Sequence, residues 1–221
     1  MRSVIFDLDG TLADTSGDLI AAANLCLSEM GATTRLDPQM DARTAFRGAR
    51  AMLKLGLERE GAYSPDTVET WYPRLLEAYG ADISRHTTLY PGAMEAVAAL
   101  SASGFRVGIC TNKPEGLAEQ LLADLGIRDA FASMIGADTL PVRKPDPEPL
   151  REAIRRAGGT ETRAVLVGDT ETDRETARAA GLASVLVGFG PEGSGIARLK
   201  PEAIIGHYDE LHGVALRLLG D

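Results

Sequence analysis

The sequence predicts an α/β fold, with a parallel sheet carrying helices on both faces and a helical module inserted after the first strand. Three observations carry this reading. Short apolar runs alternate with stretches of helical periodicity through most of the chain. Glycine, or proline behind a capping residue, punctuates the changes of rhythm. The stretch from Thr15 to Ser84 breaks the alternation with three or four helices in succession and no convincing strand between them.

Val4 to Leu8 reads as a buried parallel strand. Leu19, Ala22, Ala23, Cys26, Leu27 and Met30 then recur at helical spacing, and Gly31 ends that helix. Asp37-Pro38 predicts the start of another helix, with Asp37 as its cap, and Ser64-Pro65 repeats the device. The stripe Val68, Trp71, Tyr72, Leu75, Leu76 and Tyr79 is expected to bury the module's own core. After Tyr90-Pro91-Gly92, a helix over Ala93 to Ala102 leads to a strand over Phe105 to Cys110. A helix opened by Pro114 and a short strand near Ser133 to Gly136 follow. Next come a helix from Glu148 to Ala157, a strand from Ala164 to Val167, and a helix from Glu171 to Ala180. Ala183 to Val187, Ala203 to Ile205 and a helix from Asp209 to Leu219 complete the pattern. The domains expected are a core of residues 1–14 and 85–221 and a helical module of 15–84.

At 221 residues the chain suffices for one substantial core with an insertion. Its charge of −9, from 23 basic against 32 acidic residues, argues against a nucleic-acid surface. No apolar run approaches the roughly 20 residues a membrane helix needs, and the first apolar segment meets Asp7 too early for a signal peptide. The two cysteines, Cys26 and Cys110, form no disulfide framework, so a cytoplasmic protein is expected. His86, His207 and His212 show no zinc-ligand spacing, and Cys110 reads as a packed thiol.

The chemistry is concentrated where strands end. Continuation of the first strand would aim Asp7 and Asp9 the same way, and Gly10 permits a sharp turn with its N–H exposed. Two acids beside such a turn suit a divalent cation together with a phosphate. Thr111 and Asn112 follow a strand and precede a helix, where hydroxyl and N–H donate to phosphate oxygens. Lys144, stiffened by Pro145-Asp146-Pro147, offers positive charge against phosphoryl oxygens. Asp169 supplies a third acidic corner, and Asp173, one helical turn on, is either a ligand or an orienting group for a metal-bound water. Magnesium, which favours oxygen donors, is the expected cofactor, held by Asp7, Asp169 and the Asp9 carbonyl, with Asp173 beside them. Lys113 is expected to act only through its field or as a surface group. Arg43, Arg47, Arg50 and Lys54 give the helical module a basic face, and Gly48 lets Arg47 approach a ligand closely.

With a phosphate ester, Asp7 would be the nucleophile of an in-line attack and Asp9 the acid/base partner. These residues carry a resemblance. The segments DLDGTL (7–12), CTNK (110–113), RKPDPEPL (143–150) and GDTETD (168–173), in this order, resemble the haloacid dehalogenase superfamily and its phosphoglycolate phosphatase-like branch. The resemblance implies a Rossmann-like sheet with an inserted helical cap. It also implies a Mg2+-dependent phosphohydrolase using Asp7 as nucleophile and Asp9 as acid/base. Thr111 and Lys144 match its phosphate-binding pair, Asp169 and Asp173 its metal motif, and Arg47-Gly48 a substrate-facing element of the cap. Asp9 counts against dehalogenation, and Asp146 replaces the histidine often found after Lys-Pro. The expected reaction is hydrolysis of a small anionic phosphate ester, foremost 2-phosphoglycolate. Rivals are another phosphate ester or pyrophosphate, a β-phosphoglucomutase-like phosphomutase, and a noncatalytic phosphate-binding protein. Monomer and homodimer both fit the sequence.

Overall fold

Why the first strand is central follows from its composition: three of the four residues of Ser3–Phe6 (β1) are apolar with side chains on both faces, and all four are buried. The computed structural model describes residues 1–220. After β1 and the two-residue strand Ala13–Asp14 (β2), the chain enters four helices: Ser16–Glu29 (α1), Ala42–Ala45 (α2), Ala49–Glu60 (α3) and Pro65–Ala81 (α4). Thr88–Leu89 (β3) then pairs with β2. Alternation resumes with Ala93–Ala102 (α5), Arg106–Cys110 (β4), Glu115–Asp124 (α6) and Ser133–Ile135 (β5). It continues through Glu148–Arg156 (α7), Ala164–Gly168 (β6), Glu171–Ala180 (α8) and Ala183–Val187 (β7). Ala203–Ile205 (β8) and Leu211–Leu219 (α9) end the series.

Six strands form one sheet in the order β5-β4-β1-β6-β7-β8, and every neighbouring pair is parallel. Phe6 aligns with Ile109 on one side and Val167 on the other. From β1 the chain first builds outward through β4 and β5, then returns to β1's other edge for β6. The reversal of strand order therefore lies at β1, where parallel sheets open a crevice beyond their carboxyl ends. Helices α7 and α8 pack on one face, with Ile5 and Leu166 against Leu150, Ile154 and Ala177; α5 and α9 cover the other. Phe6 lies 6.4 Å from the Phe131 ring and 6.5 Å from Tyr208. Burying a side chain of this size contributes about 1.5–3 kcal/mol.

The chain divides into two compact units, one of Met1–Ala13 with the chain from Leu89 onward, the other Asp14–Thr88. Within the second, α1, α3 and α4 pack pairwise around Ile20, Leu27, Met52, Leu53 and Leu75. Asp18, in the first turn of α1, accepts hydrogen bonds from the backbone N–H groups of His86 and Thr87 and from the Thr87 hydroxyl. That carboxylate fastens the unit's first helix to its last residues.

Two expectations need correction here. No helix starts at Asp37-Pro38. The Asp37 carboxylate accepts from the N–H groups of Gln39 and Met40, but Asp41 then turns to Arg59, meeting both guanidinium nitrogens at 2.7 and 2.6 Å. The single-turn α2 begins only after Asp41, whose carboxylate also accepts from the Asp37 N–H at 2.8 Å and closes a separate turn ahead of the helix. Trp71 is half-buried rather than central; Val68, Leu75, Ala78 and Tyr79 form the inward stripe of α4.

Candidate active site

Three segments leave the adjacent carboxyl ends of β1, β4 and β6, and each carries a buried polar residue: Asp7, Thr111 and Asp169. Asp7 continues the ladder through its N–H to the Val167 carbonyl, at 2.8 Å. The chain then folds back, with the N–H groups of Leu12 and Ala13 both reaching the Leu8 carbonyl. Gly10 makes this turn at φ +82°, a region costly for residues with a Cβ. Its N–H does not stay exposed: it donates to the Ala13 carbonyl at 2.8 Å, so Gly10 shapes the loop and is no phosphate donor here. Asp9 sits in the same turn, beyond the end of β1, so period-two alternation does not set its direction. Its carboxylate meets Lys113 Nζ at 2.8 Å.

Lys113 corrects a second reading. It is buried, not a surface group, and makes direct contact with Asp9. The Thr111 hydroxyl accepts from the Lys113 N–H at 3.1 Å and keeps its own proton for another acceptor. Asn112 is exposed, and its side-chain amide donates to the Lys144 carbonyl at 3.0 Å, tying the two loops together.

Lys144 is 3 % exposed. Its ammonium donates to Asp173 Oδ1 at 2.6 Å and stands 3.0 Å from Asp7 Oδ1. Asp173 is fully buried in the first turn of α8, where Oδ2 accepts from the Thr170 N–H and hydroxyl and from the Asp169 N–H. The Gly168-Asp169-Thr170 segment is thus a helix cap and part of the site at once. Gly168 is required sterically, since a Cβ there would lie 2.4 Å from Asp173 Cγ. Asp169 Oδ1 accepts from the Thr11 hydroxyl at 2.9 Å, and the Tyr208 hydroxyl donates to the Thr11 carbonyl at 2.7 Å.

Burial dominates the electrostatics. It pushes Asp7 up to about 7; Lys144 opposes the rise, while Asp173 and Asp9 add to it. Burial, then the charges of Asp173 and Asp7, also raises Asp169. Lys144 moves upward despite its burial, because Asp173 and Asp7 favour its charged form. The Cys110 thiol is pushed up to about 12 by burial, which makes it a poor nucleophile and fits a packed group.

Oxygens of Asp7, Asp169 and Asp173 lie within 4.8 Å of one another. Asp169 Oδ2 is buried without a hydrogen-bond partner, a costly condition that a hard cation relieves, and Asp7 Oδ1 beside it is met by the Lys144 ammonium at 3.0 Å. Both Asp173 oxygens, in contrast, already accept hydrogen bonds. With all four carboxylates ionised, Asp7, Asp9, Asp169 and Asp173 would outnumber the neighbouring ammonium groups of Lys113 and Lys144, a balance that a cation corrects. The donor set fits Mg2+.

The remaining basic candidates lie in the helical unit. Arg47 is exposed at the junction of α2 and α3, beside Gly48 at φ +91°. Arg43 is exposed on α2. Arg50 is paired with Glu69 and Lys54 with Glu58, so the basic face is partly neutralised. The sequence assigns no role to Thr11 or Tyr208, and to Lys113 only a field or surface one. Thr11 stood inside the acidic motif and Lys113 two residues after Thr111; Tyr208 gave no signal at all.

A parallel sheet whose reversal point gathers four carboxylates and two ammonium groups is the frame of a hydrolase. The chain belongs to the haloacid dehalogenase-like hydrolases, whose family model matches residues 4–187. It is 39 % identical over 214 residues to a phosphoglycolate phosphatase of Mesorhizobium japonicum, covering 94 % of this chain and 92 % of that one. It is also 39 % identical over 223 residues to a phosphoglycolate phosphatase of Cereibacter sphaeroides, covering 99 % and 100 %. A crystal structure described as a "predicted phosphoglycolate phosphatase" from Haemophilus somnus superposes with a TM-score of 0.85 at 25 % identity, covering 97 % of each chain.

Proposed function

We propose that this protein hydrolyses a small phosphomonoester, foremost 2-phosphoglycolate, to the alcohol and inorganic phosphate. The observation that carries the reading is Asp7: a buried carboxylate whose Oδ1 stands 3.0 Å from a buried ammonium, clustered with the carboxylates of Asp169 and Asp173. An Asp7 oxygen attacks phosphorus, and the bond from phosphorus to the ester oxygen breaks. The departing oxygen takes the proton of the Asp9 carboxyl. Asp9, now ionised, takes a proton from water as that water attacks the aspartyl-phosphate, and the bond from phosphorus to Asp7 breaks. Lys144 and the Thr111 hydroxyl hold the phosphoryl oxygens. Asp7, Asp169 and the Asp9 carbonyl would hold Mg2+, with Asp173 orienting their surroundings. Bound there, Mg2+ would supply charge neutralisation between carboxylate and phosphate.

Support for the substrate comes from the relatives named phosphoglycolate phosphatase and from Arg47, whose fork suits a carboxylate. In this reading residues 15–84 act as a cap that excludes water from the reacting centre. Among the described residues no helix is long and apolar enough to cross a membrane, and we assign the protein to the cytoplasm. The test is phosphate release from a panel of small esters and pyrophosphate, with Mg2+ and with chelator. Preference for 2-phosphoglycolate that disappears with the metal supports the proposal. Isomer formation without net phosphate release would replace hydrolysis by a phosphomutase reaction, and binding without turnover would leave a phosphate-binding protein.

A further inference from the structure

We propose that Lys113 is a positioning residue, which holds the Asp9 carboxylate at the angle needed for proton transfer in both halves of the reaction. This rests on the phosphatase reading above. A buried ammonium is costly unless paired, and Lys113, 8 % exposed, has its charge 2.8 Å from Asp9 Oδ1. Both ends of the pair are built on fixed backbone. The Lys113 N–H donates to the Thr111 hydroxyl, and its carbonyl accepts from the Ala137 N–H at 2.9 Å. Asp9 lies in the turn closed by the Leu12, Ala13 and Gly10 N–H groups. A carboxylate on a free turn would sample several rotamers, whereas one held at Oδ1 presents Oδ2 in a single direction.

Lys144 cannot take over this task, because its ammonium is engaged by Asp173 and Asp7. Each buried lysine therefore serves a different carboxylate: Lys144 the attacking group, Lys113 the proton carrier. If Lys113 instead gripped the phosphoryl group, its removal would weaken phosphate binding and leave proton transfer intact.

The test is a double-mutant cycle between Lys113→Met and Asp9→Asn, read with an alkyl phosphate and with 4-nitrophenyl phosphate, in parallel with inhibition by orthophosphate. Expected is a loss of kcat of about 10–100-fold in Lys113→Met with KM and the phosphate inhibition constant within about twofold. Protonating a poor leaving group is the harder task, so the phosphorylation rate should fall less for 4-nitrophenyl phosphate than for the alkyl ester. In the Asp9→Asn background the same substitution should cost under about twofold, since the group it positions is gone. Lys113→Arg should recover part of kcat. Equal losses in both backgrounds, or a rise in the phosphate inhibition constant at unchanged kcat, would overturn the assignment while the hydrolysis by wild type stands. Wild-type protein inert toward every ester would overturn the phosphatase reading and this assignment with it.

Discussion

The two units treat charge in opposite ways. In the helical unit, the ion pairs Arg50–Glu69 and Arg74–Glu29 lie on the surface with each side chain at least one third exposed, and the buried Asp41 and Asp18 are fully engaged by Arg59 and by backbone and hydroxyl donors. At the carboxyl end of the sheet, Asp7, Asp169, Asp173 and Lys144 are nearly or wholly buried, three carboxylates crowd one ammonium, and Asp169 Oδ2 is left without a hydrogen bond. Exposed pairs contribute about 0–1 kcal/mol each. Buried ones cost several kcal/mol in desolvation and persist where the rest of the fold holds them. The contrast separates charge that trims stability from charge kept at a cost for chemistry.

The sharpest way to break this contrast is Asp7→Asn. The amide fills the same space but cannot attack phosphorus, so turnover should fall by at least about 10⁴-fold with no phosphoenzyme trapped. Substrate binding, measured by calorimetry, should survive. Multiple-turnover hydrolysis by the purified variant would remove Asp7 from the nucleophile role.

Lys144→Met probes the same cluster from its positive side. Removing the ammonium leaves Asp173 buried without its 2.6 Å partner and Asp7 without its neighbour. Loss of one member of a buried pair should cost about 3–5 kcal/mol in urea unfolding. The kcat should drop by about 10²–10³-fold, as for removal of other electrostatic stabilisers of transferred charge. A variant with unaltered stability would show that the burial carries no penalty, and the contrast between the units would collapse.

Acidity offers a third test. Asp7 is raised from 3.8 to about 7, and Asp169 moves in the same direction. Between those values the native metal-free protein holds protons that the unfolded chain has released, so raising the pH costs stability. The contribution is complete below the ordinary carboxylate range and is lost as pH climbs toward about 7. Lys144 adds no slope in this window, because it is charged in both states. In chelator, Tm should therefore fall between about pH 5 and about pH 7.5, and the Tm gained on adding Mg2+ should grow over the same interval, since the cation competes with those protons. A Mg2+ shift independent of pH would dissociate the cation from these carboxylates.

The fold was readable where burial is uniform. Parallel strands enclosed on both sides appear as continuous apolar runs, which is why Val4 to Phe6 and Ala164 to Val167 stand out in the sequence, whereas the edge strand Ala203–Ile205, with Ile204 exposed, is the faintest of the series. Readability failed where a distant partner decides the local outcome. Asp37-Pro38 has the local chemistry of a helix start, yet the segment closes a turn from the Asp37 N–H to the Asp41 carboxylate, which Arg59 holds from the other side. At the site, Asp7, Thr111, Lys144 and Asp169 are legible because each follows a strand or a stiffened turn, and the topology brings those segments together. Lys113 was not, because an isolated lysine in a loop carries no mark of burial; only the approach of Asp9, 104 residues away in sequence, reveals it.

Arg47 gives a smaller effect, confined to substrate choice. If its guanidinium receives the carboxylate of 2-phosphoglycolate, Arg47→Ala should raise KM for that ester about tenfold, the size of one charge-assisted contact, with kcat little changed. Ethyl phosphate, which lacks a carboxylate, should be hydrolysed by the variant as by wild type. Equal losses with both esters would take Arg47 out of carboxylate recognition.

The smallest effect is expected at Arg50, and it tests the surface half of the contrast. Its Nε and Nη2 meet the two Glu69 oxygens at 2.7 and 2.9 Å, and its guanidinium carbon lies 3.5 Å from the centre of the Tyr72 ring. With the two charged side chains 45 and 60 % exposed, water and salt screen the pair. Glu69→Ala removes the ion pair and leaves the ring contact, so it should shift the unfolding midpoint only slightly at low salt and not measurably at high salt. Arg50→Ala also uncovers Tyr72 and should cost about 0.5–1 kcal/mol, most of it persisting in salt because stacking is less screened. A larger destabilisation by Glu69→Ala than by Arg50→Ala, persisting at high salt, would show that exposed pairs hold the helical unit together. The division between charge kept for chemistry and charge that merely trims stability would then fail on its surface side.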